Sequence, residues 1–561
     1  MHKLCRLGLE AIAKLHGREK SMVLDHVERA DNAWPCRADG GLPRGAGEKV
    51  GPGSGTTICP DERDGRTQHG PKRRFCAPKS FAIASLALLL PLLLSAEAPS
   101  SGAISSSSAS YDGNALILTG QVALDHGLGK MRAEEAVLQK QESGKEFPFS
   151  TIALKKAIQI DLRDHARLRC GSADFDFAAL RGKLLASGKE KVIYTDRIKK
   201  SGDQGSSLRL MSDVIDLSFE KVPHADQRSD FLVHEIVATG SVVIDYAGSL
   251  TLHAGKALYK KGIDNALSVY PTDTFATCDI QREGDHINAD AIEIDVNRQV
   301  LFLKNPKGTL FSSSSPHMHK GEVRFQCENL VWDHPQNTLH LHENAHVEES
   351  AFGTLDVDKE LTLVQKDHEG RKTIASLHAD GRSVLHFQDS GRQGVHRLIC
   401  HGHVLLDHEK MHATFESPVK GNRVAREDQL YYEEEQIAVY ADRGMIDYAM
   451  QDQRLSPSSI SLKGNIRVLS HNAREAPRFG LADWVTYSPT THTFILSAHP
   501  GSRVLFWDEK ENLRIRAQEI HLTQDGNHAT ESVKGVGNVQ FSFSSEEEAL
   551  LKKVFGLTTK Q

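Results

Sequence analysis

"ALILTGQVALDHG" occupies residues 115–127 and alternates apolar and polar side chains on both sides of a glycine. Leu116, Leu118, Gly120, Val122 and Leu124 fall on one face; Ile117, Thr119, Gln121, Ala123 and Asp125 fall on the other. A period of two with one apolar face specifies a half-buried β-strand. Glycine weakens a strand interior, so its place on the apolar face needs a structural reason, either a sharp bend or the close approach of a neighbouring segment.

The arrangement recurs. In "IVATGSVVIDYAG" Ile236, Ala238, Gly240, Val242, Ile244 and Tyr246 share a face, and in "LICHGHVLLDH" Leu398, Cys400, Gly402, Val404 and Leu406 do so. "SISLKGNIRVLS" groups Ile460, Leu462, Gly464, Ile466 and Val468; "SVKGVGNVQFSF" groups Val533, Gly535, Gly537, Val539, Phe541 and Phe543. A second strand follows the first four copies, marked by Ala133, Ala254, Ala413 and Ala482. "HPGSRVLFWD" departs by one residue, with Gly501 out of phase with Val504 and Phe506, as a bulge would require. Gly464, Gly501 and Gly537 nevertheless recur at near-equal intervals. Self-similarity of short strands predicts an all-β solenoid or stacked sheet. The one helical signal is "SSEEEALLKKVFGL" at 544–557, where Ser544 or Ser545 can cap and acids occupy the first turn.

The chain has 561 residues, is 39% hydrophobic and carries a formal net charge of −6, with no basic excess to attract nucleic acid. Aromatic residues make up 6%, too few for the two aromatic girdles of a lipid-facing barrel. Residues 72–98, "KRRFCAPKSFAIASLALLLPLLLSAEA", place a basic cluster before the apolar run Phe81–Leu94 and a small-x-small ending at Ala98. That is the order of a secretory signal peptide, and the run falls short of the ~20 residues of a membrane-spanning helix. An inner-membrane anchor over residues 81–94 is the alternative. Residues 1–71 read as a disordered extension or a gene-model artefact, and 99–110 as a polar linker.

No CxxC pair or short metal-ligand spacing occurs among the cysteines. Cys170, Cys278, Cys327 and Cys400 lie in the strand-rich region, where a disulfide is compatible with the sequence and no pairing follows from it. The pairs His317/His319, His340/His342 and His401/His403 each share a strand face, but His401 and His403 lie opposite Gly402 and Val404 and so face solvent. Glu134/Glu135 and Glu433/Glu434/Glu435 are strand neighbours that point to opposite faces, and no GxSxG, HExxH or P-loop is present. These readings predict neither enzyme activity nor a metal or cofactor.

The Gly-x-Val strand followed by an Ala-bearing strand resembles the OstA-like family of periplasmic β-jellyroll proteins of lipopolysaccharide transport, which includes the LptA type and the amino-terminal domain of LptD. "LTGQVALDHGLGKMRAEEAVL", "ATGSVVIDYAGSLTLHAGKALY", "CHGHVLLDHEKMHATF" and "LKGNIRVLS" with "RFGLADWVTY" carry the resemblance. It implies a repeated antiparallel β-jellyroll, folded over and open along one edge, whose interior holds acyl chains. The expected modules are 111–265 and 396–545, a poorly matched middle at 266–395, and a helix and tail at 546–561, without a carboxy-terminal barrel.

The inward set is then Val122, Leu124, Val242, Ile244, Val404, Leu406, Ile466, Val468, Val539 and Phe541, lining a groove for lipopolysaccharide or a similar lipid or packing on one another as a dry core. Gly120, Gly240, Gly402, Gly464 and Gly537 are the structural glycines. The resemblance implies a non-enzymatic periplasmic carrier that stacks edge to edge with other jellyrolls and relies on a partner ATPase. A structural or adhesive envelope solenoid without lipid is the competing expectation, and a carbohydrate-active β-helix enzyme the third.

Overall fold

The computed structural model describes residues 103–542 apart from 141–148, 199–205, 224–228, 313–320, 350–352, 369–370, 389–394, 435–436, 452–453, 471–476, 511 and 525–529. The stretches expected to form a signal peptide, an amino-terminal extension and a carboxy-terminal helix fall outside these residues.

Among the described residues forty strands join in one antiparallel meander. Long strands divide into two halves that pair with different neighbours. Within Ser229–Tyr246, residues 235–239 pair with 256–260, register is lost, and 242–246 pair with 250–254. The same break separates 115–119 from 122–126 and 460–463 from 466–470. The sheet therefore folds over along a line of corners, giving two layers whose apolar faces merge into one core. The first layer contains 115–119, 235–239 and 460–463; the second contains 122–126, 242–246 and 466–470.

Short strands follow the same path. Ala266–Tyr270 lies in the first layer and Cys278–Arg282 in the second, because they extend the two halves of Leu250–Lys260. Both ladders pass without interruption through residue 266, and through residue 396 by way of the pairings of Arg371–Asp380 with His403–Asp407 and Ser383–Gln388 with Val395–Cys400. Each crossing between layers is made on the corner side. On the opposite side hairpin turns close each layer separately, such as 247–249 in the second and 261–265 in the first. Most of the stretch read above as a linker is described from residue 103 on and lies in the edge strands Ile104–Ser105 and Ser108–Tyr111, the second of which runs one residue past it. A small polar segment can do so because edge pairing draws on backbone groups alone.

The repeated glycines are corner residues. Gly120, Gly240, Gly464 and Gly537 have φ of +73°, +100°, +83° and +72°, where a side chain is strained. The following residue is also left-handed at Gln121, Asn465 and Asn538. Each glycine also leaves room for a polar side chain of a neighbouring corner: Ser107 beside Gly120, Asp213 beside Gly240, Asp442 beside Gly464 and Gln518 beside Gly537. Gly402 has no left-handed φ; a Cβ there would strike the Glu416 carbonyl oxygen. It serves close approach where the others serve the bend. Three of the four marker alanines face the first residues beyond the corner, with Val122 opposite Ala133, Val242 opposite Ala254 and Ile466 opposite Ala482, whereas Ala413 pairs further along with Leu406.

Two sequence expectations are corrected. Gly501 is not a strand bulge; it lies in the connection between Thr493–Ser497 and Val504–Asp508, closed by a Ser502 N–H to His499 carbonyl hydrogen bond. Phe541 is not buried. It pairs with Ile515 on the inward side but is 61% exposed, since Gln540–Ser542 ends the second layer among the described residues and nothing covers its far side.

Candidate lipid-binding interior and its seam

Eight of the inward residues, Val122, Leu124, Val242, Ile244, Val404, Leu406, Ile466 and Val468, are no more than 4% exposed and belong to the shared core. Val539 is half-buried against that core. Val404 and Leu406 come from the first layer and the other six from the second, at rungs spread along the fold. They form one continuous lining, and no single pocket gathers them. A cavity of about 20 Å³ between the layers is lined by apolar side chains such as Val347, Leu355, Leu377 and Leu406 together with Glu349 and His408. It has room for about one water molecule and none for an acyl chain.

The side opposite the corners is a seam. Lys261 leaves the first layer and reaches Asp164 and Asp196 of the second, both at 2.7 Å, and the Tyr194 hydroxyl at 3.0 Å. Further along, the Tyr246 hydroxyl donates to the Val296 carbonyl at 3.2 Å and Ser249 bonds His334 at 3.0 Å. Arg282 is buried with Asp285 at 2.6 Å, donates to Gln365 at 2.7 Å and lies 4.5 Å from the Trp332 ring centroid. Tyr432 and Tyr487, from opposite layers, both donate to the buried Glu434 carboxylate, at 3.1 and 3.2 Å. These contacts are made almost wholly by side chains; a backbone bond from Phe231 N–H to the Gly127 carbonyl joins the layers near residue 127.

Sequence reasoning missed this row, although its signal is regular. A strand of the second layer runs from corner to seam as apolar-x-apolar-x-charged: Val192, Tyr194, Asp196; Cys278, Ile280, Arg282; Ala345, Val347, Glu349; Leu430, Tyr432, Glu434; Val504, Phe506, Asp508. All five charged residues are buried on the core phase. A buried charge needs a partner: Asp196, Arg282 and Glu434 find one in the opposite layer, in Lys261, Gln365 and Tyr487, whereas Asp508 pairs with Arg478 of its own layer at 2.7 Å.

His126 occupies the same rim. It is buried between Phe177 and Phe231, and its Nδ1 accepts the Leu128 N–H at 3.1 Å. Burial, aided by the nearby Arg163 charge, pushes its pKa down to about 4. The imidazole is thus neutral in the fold and protonates in the unfolded chain near its ordinary ~6.5. The unfolded state binds more protons between those values, so stability is retained above about pH 6.5 and falls as pH drops towards 4, by up to ~3 kcal/mol. Urea unfolding followed across that window checks this; His126→Phe is expected to flatten the slope, and an unchanged slope refutes the assignment.

The remaining candidates are divided between core and surface. Cys170, Cys278, Cys327 and Cys400 are free thiols, and burial raises their pKa values to about 12, or about 11 for Cys400, so they are protonated at neutral pH. His403 is exposed and bonds Asp380; His340 bonds Glu360 at 3.1 Å. Among the described residues no three His, Cys, Asp or Glu side chains are placed to hold a metal. Glu433 faces outward near Arg397 while Glu434 faces inward, so the acids of that run are separated by the sheet. Among the described residues no helix is long and apolar enough to cross a membrane. In comparisons with family models and with curated proteins, nothing matches the chain.

Proposed function

We propose that this chain is a non-enzymatic lipid-bridging protein of the OstA-like kind, exported to the periplasm, that takes acyl chains of lipopolysaccharide or a similar lipid between its two layers. The observation that carries the reading is the asymmetry of the fold. The layers are joined covalently along the corners and meet along the seam almost wholly through side chains. Parting the seam exposes two apolar faces without breaking a β-ladder. An acyl chain then restores burial at roughly 0.8 kcal/mol per CH₂, so the net cost of loading falls on the seam contacts and not on the core.

Both ends suit stacking with other jellyrolls. Ile104–Ser105 and Ser108–Tyr111 form one terminal edge of the described fold, and Thr530–Val536 and Gln540–Ser542 the other. Tyr111 and Phe541 are exposed there, and unpaired edge strands accept further strands by backbone bonding. A partner ATPase would supply direction.

The filled interior favours a second reading, an envelope scaffold whose core is its own side chains. Photo-crosslinking side chains placed at Val242 and Val404, exposed to lipopolysaccharide, separate the two. Adducts at both positions are expected from the lipid bridge. Lack of an adduct at every inward position overturns it and leaves the scaffold.

A further inference from the structure

The outer face of the second layer carries a concave basic site far from the apolar interior in chemistry. Three adjacent strands build it: Arg167–Asp176, Val192–Ile198 and Ser206–Ser212. Their register places Arg167, Thr195 and Arg209 in one row and Arg169 beside Ile193 in the next. Arg197 stands two residues beyond Thr195 on the same face. His165, in the turn before the first of these strands, adds an imidazole beside the four arginines, and together with Ile193 and Thr195 these residues line a hollow of about 550 Å³.

The charge in this hollow is incompletely balanced. Asp161 holds Arg167 through Nε at 2.7 Å, and Asp245 lies 3.8 Å from Arg209. Arg169 and Arg197 are exposed and make no ion pair among the described residues. Arg167 and Arg209 sit two strand spacings apart, roughly 9.5 Å, with Arg169 about 7 Å along the strand from Arg167. Like charges gathered on neighbouring strands oppose pairing, and a ligand that neutralises them relieves that opposition. Guanidinium forks match the oxygens of phosphate in pairs. The hollow has the volume of a small-ligand site, which favours a compact group seated in it over a flat bilayer laid across it.

We infer that His165, Arg167, Arg169, Arg197 and Arg209 form a binding site for a compact ligand bearing two or more phosphate groups, either a free oligophosphate or a phosphorylated headgroup. The inference goes beyond lipid bridging, because the site lies on the outer face and needs no opening of the seam. Calorimetric titration of the full chain with inorganic tripolyphosphate at low salt tests the free form. Co-sedimentation with phosphatidylcholine vesicles containing phosphatidylinositol 4,5-bisphosphate tests the headgroup form. The paired change Arg169→Ala with Arg197→Ala removes two exposed side chains without ion pairs; Lys410→Ala, on a different strand hairpin, controls for general charge. Binding in at least one arm, weakened tenfold or more by the arginine changes and little by Lys410→Ala, is expected. Absence of binding in both arms, or equal weakening by Lys410→Ala, overturns the site.

Discussion

Replacing Lys261 with methionine is expected to destabilise the surrounding rungs by about 3–5 kcal/mol, the scale for removing one partner of a buried ion pair. The ammonium bridges Asp164 and Asp196 at 2.7 Å, with both carboxylates and the lysine largely shielded from solvent. Methionine keeps most of the stem and removes the charge, so two carboxylates are left facing an apolar neighbour. A surface pair gives the contrast: Lys410 is well exposed where it meets Asp407, and Lys410→Ala should alter stability by no more than ~1 kcal/mol. In a fold built of rungs that contact mainly their neighbours, the loss is local. Hydrogen exchange is the suitable measurement, with protection lost around 158–198 and 256–270 and retained near residue 500. Adding Asp164→Asn and Asp196→Asn should restore part of it. Equal exchange in Lys261→Met and Lys410→Ala would mean that the seam is not held by this clamp.

The layers were more legible in the sequence than the seam for a physical reason. Alternation reports which side chains are hidden, and it placed Val122, Val242, Val404 and Ile466 correctly on the inward face. Glycine on that face reported the corner, because both a left-handed φ and a crowded Cβ exclude other residues at Gly240 and Gly464. Alternation does not report how many neighbours a strand has, so it buried Phe541, whose strand is last in its layer among the described residues. Nor does it say where the chain leaves a strand, which is why Gly501 read as a bulge inside one. Arg282 and Glu434 each end an apolar alternation on the buried phase of their strands. Their partners, Gln365 and Tyr487, are distant in sequence and adjacent only after the sheet has folded over. A pattern confined to one strand contains no term for that contact. The outer arginines were overlooked for a related cause: each is an ordinary solvent-facing residue alone, and only register across three strands gathers them.

The corner makes the second strong prediction. Gly240→Val is expected to cost about 4 kcal/mol, combining a strained left-handed backbone with overpacking. At φ +100° the new Cβ would lie 2.7 Å from Asp213 Cβ and closer still to its carboxylate. Asp213 cannot withdraw freely. It accepts the Ser241 N–H at 2.9 Å and pairs with Lys191, and these two contacts hold its pKa below the usual carboxylate range, the lysine contributing most. Displacing it therefore removes the acceptor that fixes the residue after the bend. Gly240→Ala with Asp213→Gly, compared with Asp213→Gly alone, separates the two components: no Cβ is left at residue 213 to meet the new one, and a residual of about 1–2 kcal/mol from the backbone remains. Gly262, which has open space around it and no left-handed φ, supplies the comparison, since Gly262→Val should change stability by less than ~0.5 kcal/mol. Denaturant midpoints that coincide for Gly240→Val and Gly262→Val would show that the corner tolerates a side chain. The repeated glycines would then mark the sequence repeat without enforcing the fold.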